Sequence, residues 1–130
     1  FKTNDTLISS IKILDEILKN ISPNKKKMLE LANSGYITAT DLADYLVKNH
    51  SMSFREAYEK TAAIVNFAEK KKKKLSDLTL EEFQKIEPKL NHDVLKVIDL
   101  KNSINSKKSY GGTSFDNIKK MIIKYKRKND

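Results

Sequence analysis

Residues 31–60 read LANSGYITATDLADYLVKNHSMSFREAYEK, a stretch holding one helix stop, two helix starts and a tight turn. Gly35 predicts the stop, because glycine enters the left-handed backbone region without the steric penalty of a Cβ. Thr38 and Thr40 are both candidate N-caps for a helix from about Thr40 to Asn49, which carries Leu42, Ala43, Tyr45, Leu46 and Val47. Asp41 and Asp44 lie near its N-terminus, where the helix dipole favours negative charge; capping accounts for them better than a metal or acid/base pair. His50 follows the helix, within reach of its last carbonyls. Ser53 starts the next helix, and Ser53-Phe54-Arg55-Glu56 has the spacing of a capping box. Phe54, first on the apolar face, is expected to be buried against the preceding helix. The expectation is a helix–turn–helix–turn–helix unit around one apolar interior.

Outward from this unit the helical period continues. On the N-terminal side, Asn4–Ile21 carries Leu7, Ile11, Leu14, Leu18 and Ile21 at three- and four-residue spacing, widened by Ile8, Ile13 and Ile17. An apolar girth that wide calls for more than one neighbour. Ser22-Pro23 predicts the cap and first residue of a second helix, with Met28, Leu29 and Ala32 inward, and places a domain boundary near Ser22. On the C-terminal side, the Ser53 helix runs to Lys70, with Phe54, Ala57, Tyr58, Ala62, Val65 and Ala68 as its packing face and Ile64 and Phe67 at the edges. Lys70–Lys74 reads as a solvated helix end. Leu75 and Leu78 anchor the crossing to a second capping box, Thr79-Leu80-Glu81-Glu82, whose helix carries Leu80, Phe83 and Ile86 and stops at Pro88. Asn91 or His92 begins another short helix with Val94, Leu95, Val97 and Ile98. Asp99–Gly112 reads as a loop. Gly111 and Gly112 form a turn, too short for a phosphate cradle and with no strand before it. Thr113 caps the last helix, with Phe115, Ile118, Met121, Ile122 and Tyr125 on its inner face and Lys126-Arg127-Lys128 fraying. No stretch sustains two-residue alternation, so the predicted class is all-α: one long helix, then a compact domain of about six helices.

TATDLADYLV followed by FREA resembles the C-terminal domain of argininosuccinate lyase, in the fumarase/aspartase superfamily. The usual family string is TATDLADYLV, a short basic or glycine turn, then PFREAH; here Ser53 replaces the proline and Tyr58 the histidine. A second match, Ser109-Tyr110-Gly111-Gly112-Thr113, falls where the family has GGT before a helix. The resemblance implies that residues 1–22 end a central helical bundle and 23–130 form the C-terminal domain. It also implies a cytoplasmic homotetramer of arginine biosynthesis that cleaves argininosuccinate to arginine and fumarate by β-elimination. The family's catalytic serine loop, histidine and substrate contacts lie upstream of the matched part. No catalytic residue is therefore carried onto this chain, and Gly35, Thr38, Thr40, Asp41, Ser53, Phe54, Arg55, Glu56, Gly111, Gly112 and Thr113 are read as structural. No cofactor, metal, nucleic acid or membrane is implied as a partner.

Composition bounds the other classes. The chain has 130 residues and begins at Phe1, which reads as a fragment, and its 38% hydrophobic and 33% charged residues fit a helical globular protein. Zero cysteines exclude disulfides, thiolate catalysis and cysteine-based zinc sites, and His50 and His92 are too few for an all-histidine metal site. The longest apolar runs are far below a membrane span. The net charge of +9 raises nucleic acid, but only Arg55 and Arg127 of the 26 basic residues are arginine. A DNA-binding helix-turn-helix is the alternative from another class. Its second helix would begin Phe54-Arg55-Glu56 with Glu59 a turn later, placing acids against phosphates. A non-enzymatic helical interaction domain is the third reading.

Overall fold

A computed structural model describes residues 2–129, with side-chain surroundings for residues 2–126. The order is α1 (Lys2–Lys19), α2 (Lys25–Ser34), α3 (Ala39–His50), α4 (Phe54–Lys70), a 3-10 turn (Leu75–Asp77), α5 (Leu80–Gln84), α6 (Asp93–Val97), α7 (Leu100–Ser106) and α8 (Phe115–Asn129). The class is all-α, with no strand among the described residues. Packing divides the chain into a unit ending at Leu31 and a unit from Ala32 onward.

In the first unit, α1 ends at Lys19, where Asn20 Nδ2 donates to the Glu16 carbonyl at 2.8 Å. None of its described residues is buried, and Leu7, Ile11, Leu14 and Leu18 are exposed by more than half. The start of α2 differs from expectation. Asn24 Oδ1 accepts from Lys27 N at 3.0 Å, so Asn24 rather than Ser22 is the cap, and Pro23 precedes it. Met28 and Leu29 are exposed rather than inward.

The second unit is built on α3 against α4, with α6 also packed on α3. Leu42 and Leu46 of α3 meet Ala57, Ile64 and Ala68 of α4, Leu75 and Leu78 of the 3-10 crossing, Phe83 of α5, and Leu90, Val94 and Ile98 around α6. Each of these is at most 4% exposed. Polar ties close the irregular segments. Lys60 Nζ donates to the Ile86 carbonyl at 3.2 Å, Gln84 Nε2 to the Leu90 carbonyl at 2.8 Å, and Tyr45 Oη to Asn91 Oδ1 at 3.2 Å.

Several expectations are corrected here. Phe54 is 69% exposed and Tyr58 also faces outward; the buried face of α4 is Ala57, Thr61, Ile64 and Ala68, so Ile64 sits at its centre rather than its edge. Asp99–Gly112 is not all loop. Asp99 Oδ2 accepts from Asn102 N at 2.9 Å and starts α7. The last helix is capped by buried Ser114, whose Oγ accepts from Asn117 N at 3.4 Å, not by Thr113. Its stripe of Phe115, Ile118, Met121, Ile122 and Tyr125 is exposed rather than inner, and α8 spans Phe115–Asn129.

Candidate functional site

The residues singled out in the sequence divide into caps, turns and ties. Gly35 follows α2 as expected, but its backbone is not left-handed; that conformation falls on Ser51, Lys72 and Gly111, the last at φ 78°. Gly112 answers to space instead. A Cβ there would lie 2.2 Å from the Lys107 carbonyl oxygen, and its N–H donates to the Ser109 carbonyl at 2.8 Å. Thr38 is the N-cap residue of α3, buried and without a side-chain cap bond, while Thr40 is exposed in the first turn. Thr113 is exposed beside the true cap of α8.

The capping box at α4 is complete. Ser53 Oγ accepts from Glu56 N at 3.3 Å, and Glu56 Oε2 accepts from Ser53 N at 2.8 Å. The Ser53 hydroxyl, which also donates to Glu56, and then the Ser53 N–H hold the Glu56 carboxyl below its usual range. Arg55, its side chain 90% exposed, is bonded to Glu59 Oε1 at 3.2 Å. A nucleic-acid reading would leave that guanidinium for a base or phosphate; here it serves its own helix.

Asp41 does more than cap. Its carboxylate accepts from Ser103 Oγ and from Lys107 Nζ, both on or next to α7, and its side chain is only 15% exposed. Ser103 and Lys107 stand four apart, so one face of α7 reaches α3. That spacing was legible; its partner on a distant helix was not. A hydroxyl and an ammonium sharing one carboxylate form a tie that neutralises both charges. The adjoining open groove, about 800 Å³, is lined by Asp41, Tyr45, Lys48, Lys96, Ser103 and Lys107, among others.

Two members of the lysine run also hold structure, which corrects their reading as a solvated end. Lys71 and Lys73 Nζ lie 2.7 and 2.9 Å from Glu82 Oε1, and Thr79 N donates to Glu82 Oε2 at 3.0 Å. Lys71 first, then the Thr79 N–H and Lys73, hold the Glu82 carboxyl down at about 2. The same carboxylate completes the second capping box, and Lys71 stands 4.7 Å above the Phe67 ring. Tyr36 Oη donates to the Lys73 carbonyl at 3.2 Å, fixing the turn further.

The two histidines sit at opposite kinds of helix end. His50 is the last residue of α3, not the one after it, and its ring lies edge-on to Tyr45 at 5.2 Å between centroids. Its Nε2 is buried without a hydrogen-bond partner, so its setting is less solvated than its position implied. His92 is exposed at the N-cap of α6. No cluster of three or more His, Cys, Asp or Glu among the described residues is placed to hold a metal ion.

Comparison with known proteins addresses the same unit. Residues 36–105, more than half of the chain, match the family described as argininosuccinate lyase C-terminal. The chain is 71% identical over 127 residues to argininosuccinate lyase of Pelagibacter ubique, covering 98% of this chain and 28% of that protein. It is 46% identical over 118 residues to the argininosuccinate lyase of a Nitratiruptor species, covering 91% of this chain and 26% of that protein. The Ehrlichia chaffeensis argininosuccinate lyase is 45% identical over 118 residues, with 91% of this chain and 25% of that protein covered. The chain thus spans about a quarter of the length of the curated relatives it matches. With TATDLADYLV on α3, FREA at the start of α4 and the matched span running through α7, this chain belongs to the argininosuccinate lyase C-terminal family.

Proposed function

We propose that this chain is the C-terminal region of an argininosuccinate lyase and that its own role is structural. The observation that carries the reading is the 71% identity to a protein of that name over 98% of this chain. The enzyme cleaves argininosuccinate by β-elimination. A base removes the proton beside a carboxylate, the carbon–nitrogen bond breaks, the nitrogen leaves with a proton as arginine, and the carbon skeleton becomes fumarate. Such chemistry requires a base in hydrogen-bond reach of that proton and donors for the developing negative charge. Here Asp41, Glu56 and Glu82 are each committed to caps or ion pairs. The motif residues Gly35, Thr38, Thr40, Asp41, Ser53, Phe54, Arg55, Glu56, Gly111, Gly112 and Thr113 form and join helices. On this reading residues 1–22 end a central helical bundle and 23–130 form the C-terminal domain. The whole enzyme is a cytoplasmic homotetramer of arginine biosynthesis, without a cofactor. The wide uncovered stripe of α1 supports a bundle helix.

The test uses the full-length protein and this chain side by side, following fumarate absorbance with argininosuccinate as substrate. The full-length protein should turn it over and this chain alone should give the uncatalysed rate. Fumarate formed by this chain and abolished by His50→Ala or His92→Ala would place catalytic groups in this region. A full-length protein inert toward argininosuccinate would refute the lyase reading.

A further inference from the structure

The groove between α3 and the α6–α7 segment, about 800 Å³, falls within the range of about 300–1,000 Å³ usual for small-molecule sites. Ammoniums reach it from both sides. Lys48 comes from α3, and Lys96, Lys107 and Lys108 come from the α6–α7 side, against the carboxylates of Asp41 and Asp44. These cations are not equally committed. Lys107 is held by Asp41, and Lys96 lies 2.9 Å from Asp93. Lys48 is 3.9 Å from Asp44, with side chains 75% and 51% exposed, and so long and exposed a pair contributes little. The Lys108 ammonium, the Asn49 amide and the Ser109 hydroxyl have no polar partner among the described residues. One cation on each side, each next in sequence to an uncharged donor, is therefore left for a ligand.

The rest of the lining selects the ligand's shape. Tyr45 and Val97, both half-buried, add apolar surface, and the Tyr45 hydroxyl is already turned to Asn91. A compact anion would engage the cation of one side and leave the other unmet. A long polyanion would run past Asp44 and Asp93, which are exposed and repel it. A short carbon chain with a carboxylate at each end meets both cations and lays its carbons on the apolar surface. Lysine offers point charges without the bidentate fork of arginine, so such a site is one of modest affinity.

We propose that this groove binds a small aliphatic dicarboxylate that bridges Lys48 and Lys108 and so clamps the end of α7 to α3. The probe is succinate, added to the full-length protein at constant ionic strength, with hydrogen exchange of residues 100–106 as the readout. Binding that bridges α3 and α7 slows α7 opening by the factor of one plus ligand concentration over Kd, about tenfold at ten times Kd. The titration should give a Kd of about 1–10 mM. Lys48→Met and Lys108→Met should each raise it at least about fivefold, and Lys119→Met/Lys120→Met on α8 should leave it unchanged. Succinate held elsewhere in the full-length protein would not slow α7 through these two lysines. Exchange of α7 indifferent to succinate would overturn the proposal, as would an undiminished effect in both lysine variants. Acetate acting as strongly as succinate would overturn it in favour of general screening of charge. Inorganic phosphate acting as strongly, and through the same lysines, would overturn the dicarboxylate in favour of a compact anion. Fumarate production from argininosuccinate by the same preparation reads the enzymatic assignment separately, and its absence leaves the groove's test unaffected.

Discussion

Two phenylalanines show how position governs the worth of a side chain. Phe83 is fully buried among α3, α4 and α6 residues, whereas Phe54, directly after the Ser53 cap, is 69% exposed. Removing a buried ring forfeits both its transfer from water and the packing around it. Phe83→Ala is therefore expected to destabilise this chain by about 3–5 kcal/mol. Phe54→Ala should stay within about 0.5 kcal/mol, as for surface substitutions. Ser53→Ala removes one half of a complete capping box and should cost about 1 kcal/mol. Urea melts of the three variants check the order, and equal damage from Phe54→Ala and Phe83→Ala would show that Phe54 is covered in solution.

Short helices depend on ties from outside themselves. α7 has no buried residue and is held by the Asp99 cap, by Asn102 Nδ2 on the Lys96 carbonyl, and by Ser103 and Lys107 on Asp41. Asp41→Ala should raise hydrogen-exchange rates across residues 100–106 by about tenfold while leaving the buried face of α4 protected. Unchanged exchange in α7 would show that the Asp99 cap suffices. The α5 start depends similarly on Glu82, whose folded pKa of about 2 lies below its ordinary 4.5. A depressed carboxyl stabilises the fold fully above its unfolded pKa and loses that contribution as pH falls toward the folded value. The stability gap between this chain and Glu82→Gln should thus be constant from neutral pH down to about 5 and shrink toward about pH 2. Urea midpoints measured across that range decide it; a gap independent of pH would mean that the Lys71 and Lys73 contacts contribute nothing through charge.

At the scale of the whole chain, the notable surface is apolar. α1 exposes Leu7, Ile8, Ile11, Ile13, Leu14, Ile17 and Leu18, and α8 adds its own stripe. Exposed apolar patches beyond a few hundred Å² mark surfaces that associate. This chain is expected to self-associate with rising concentration, and removal of residues 1–21 should lower its apparent mass in light scattering. A strictly monomeric full chain at high concentration would argue against the bundle role of α1.

Local physics was legible in the sequence. The helical period, the two capping boxes at Ser53 and Thr79, and the turn at Gly111-Gly112 each involve residues a few positions apart, so the sequence alone determined an all-α chain and the starts of α4 and α5. The caps read at Ser22 and Thr113 were both misplaced, the structure putting them at Asn24 and Ser114, because neighbouring polar residues have similar capping chemistry. Only the tertiary structure decided which face of α4 turns inward, because Phe54, Tyr58, Ala62 and Val65 make as good a stripe as Ala57, Thr61, Ile64 and Ala68. The small Ala57 and Ala68 belong to the buried set, and small residues let α4 approach its neighbours closely while the bulky rings stay outside. Only it paired Asp41 with Ser103 and Lys107, more than sixty residues away, and so made a helix of a stretch whose polar composition reads as loop. Short-range rules act through the backbone of one segment, whereas a carboxylate's partner is set by where the folded chain returns.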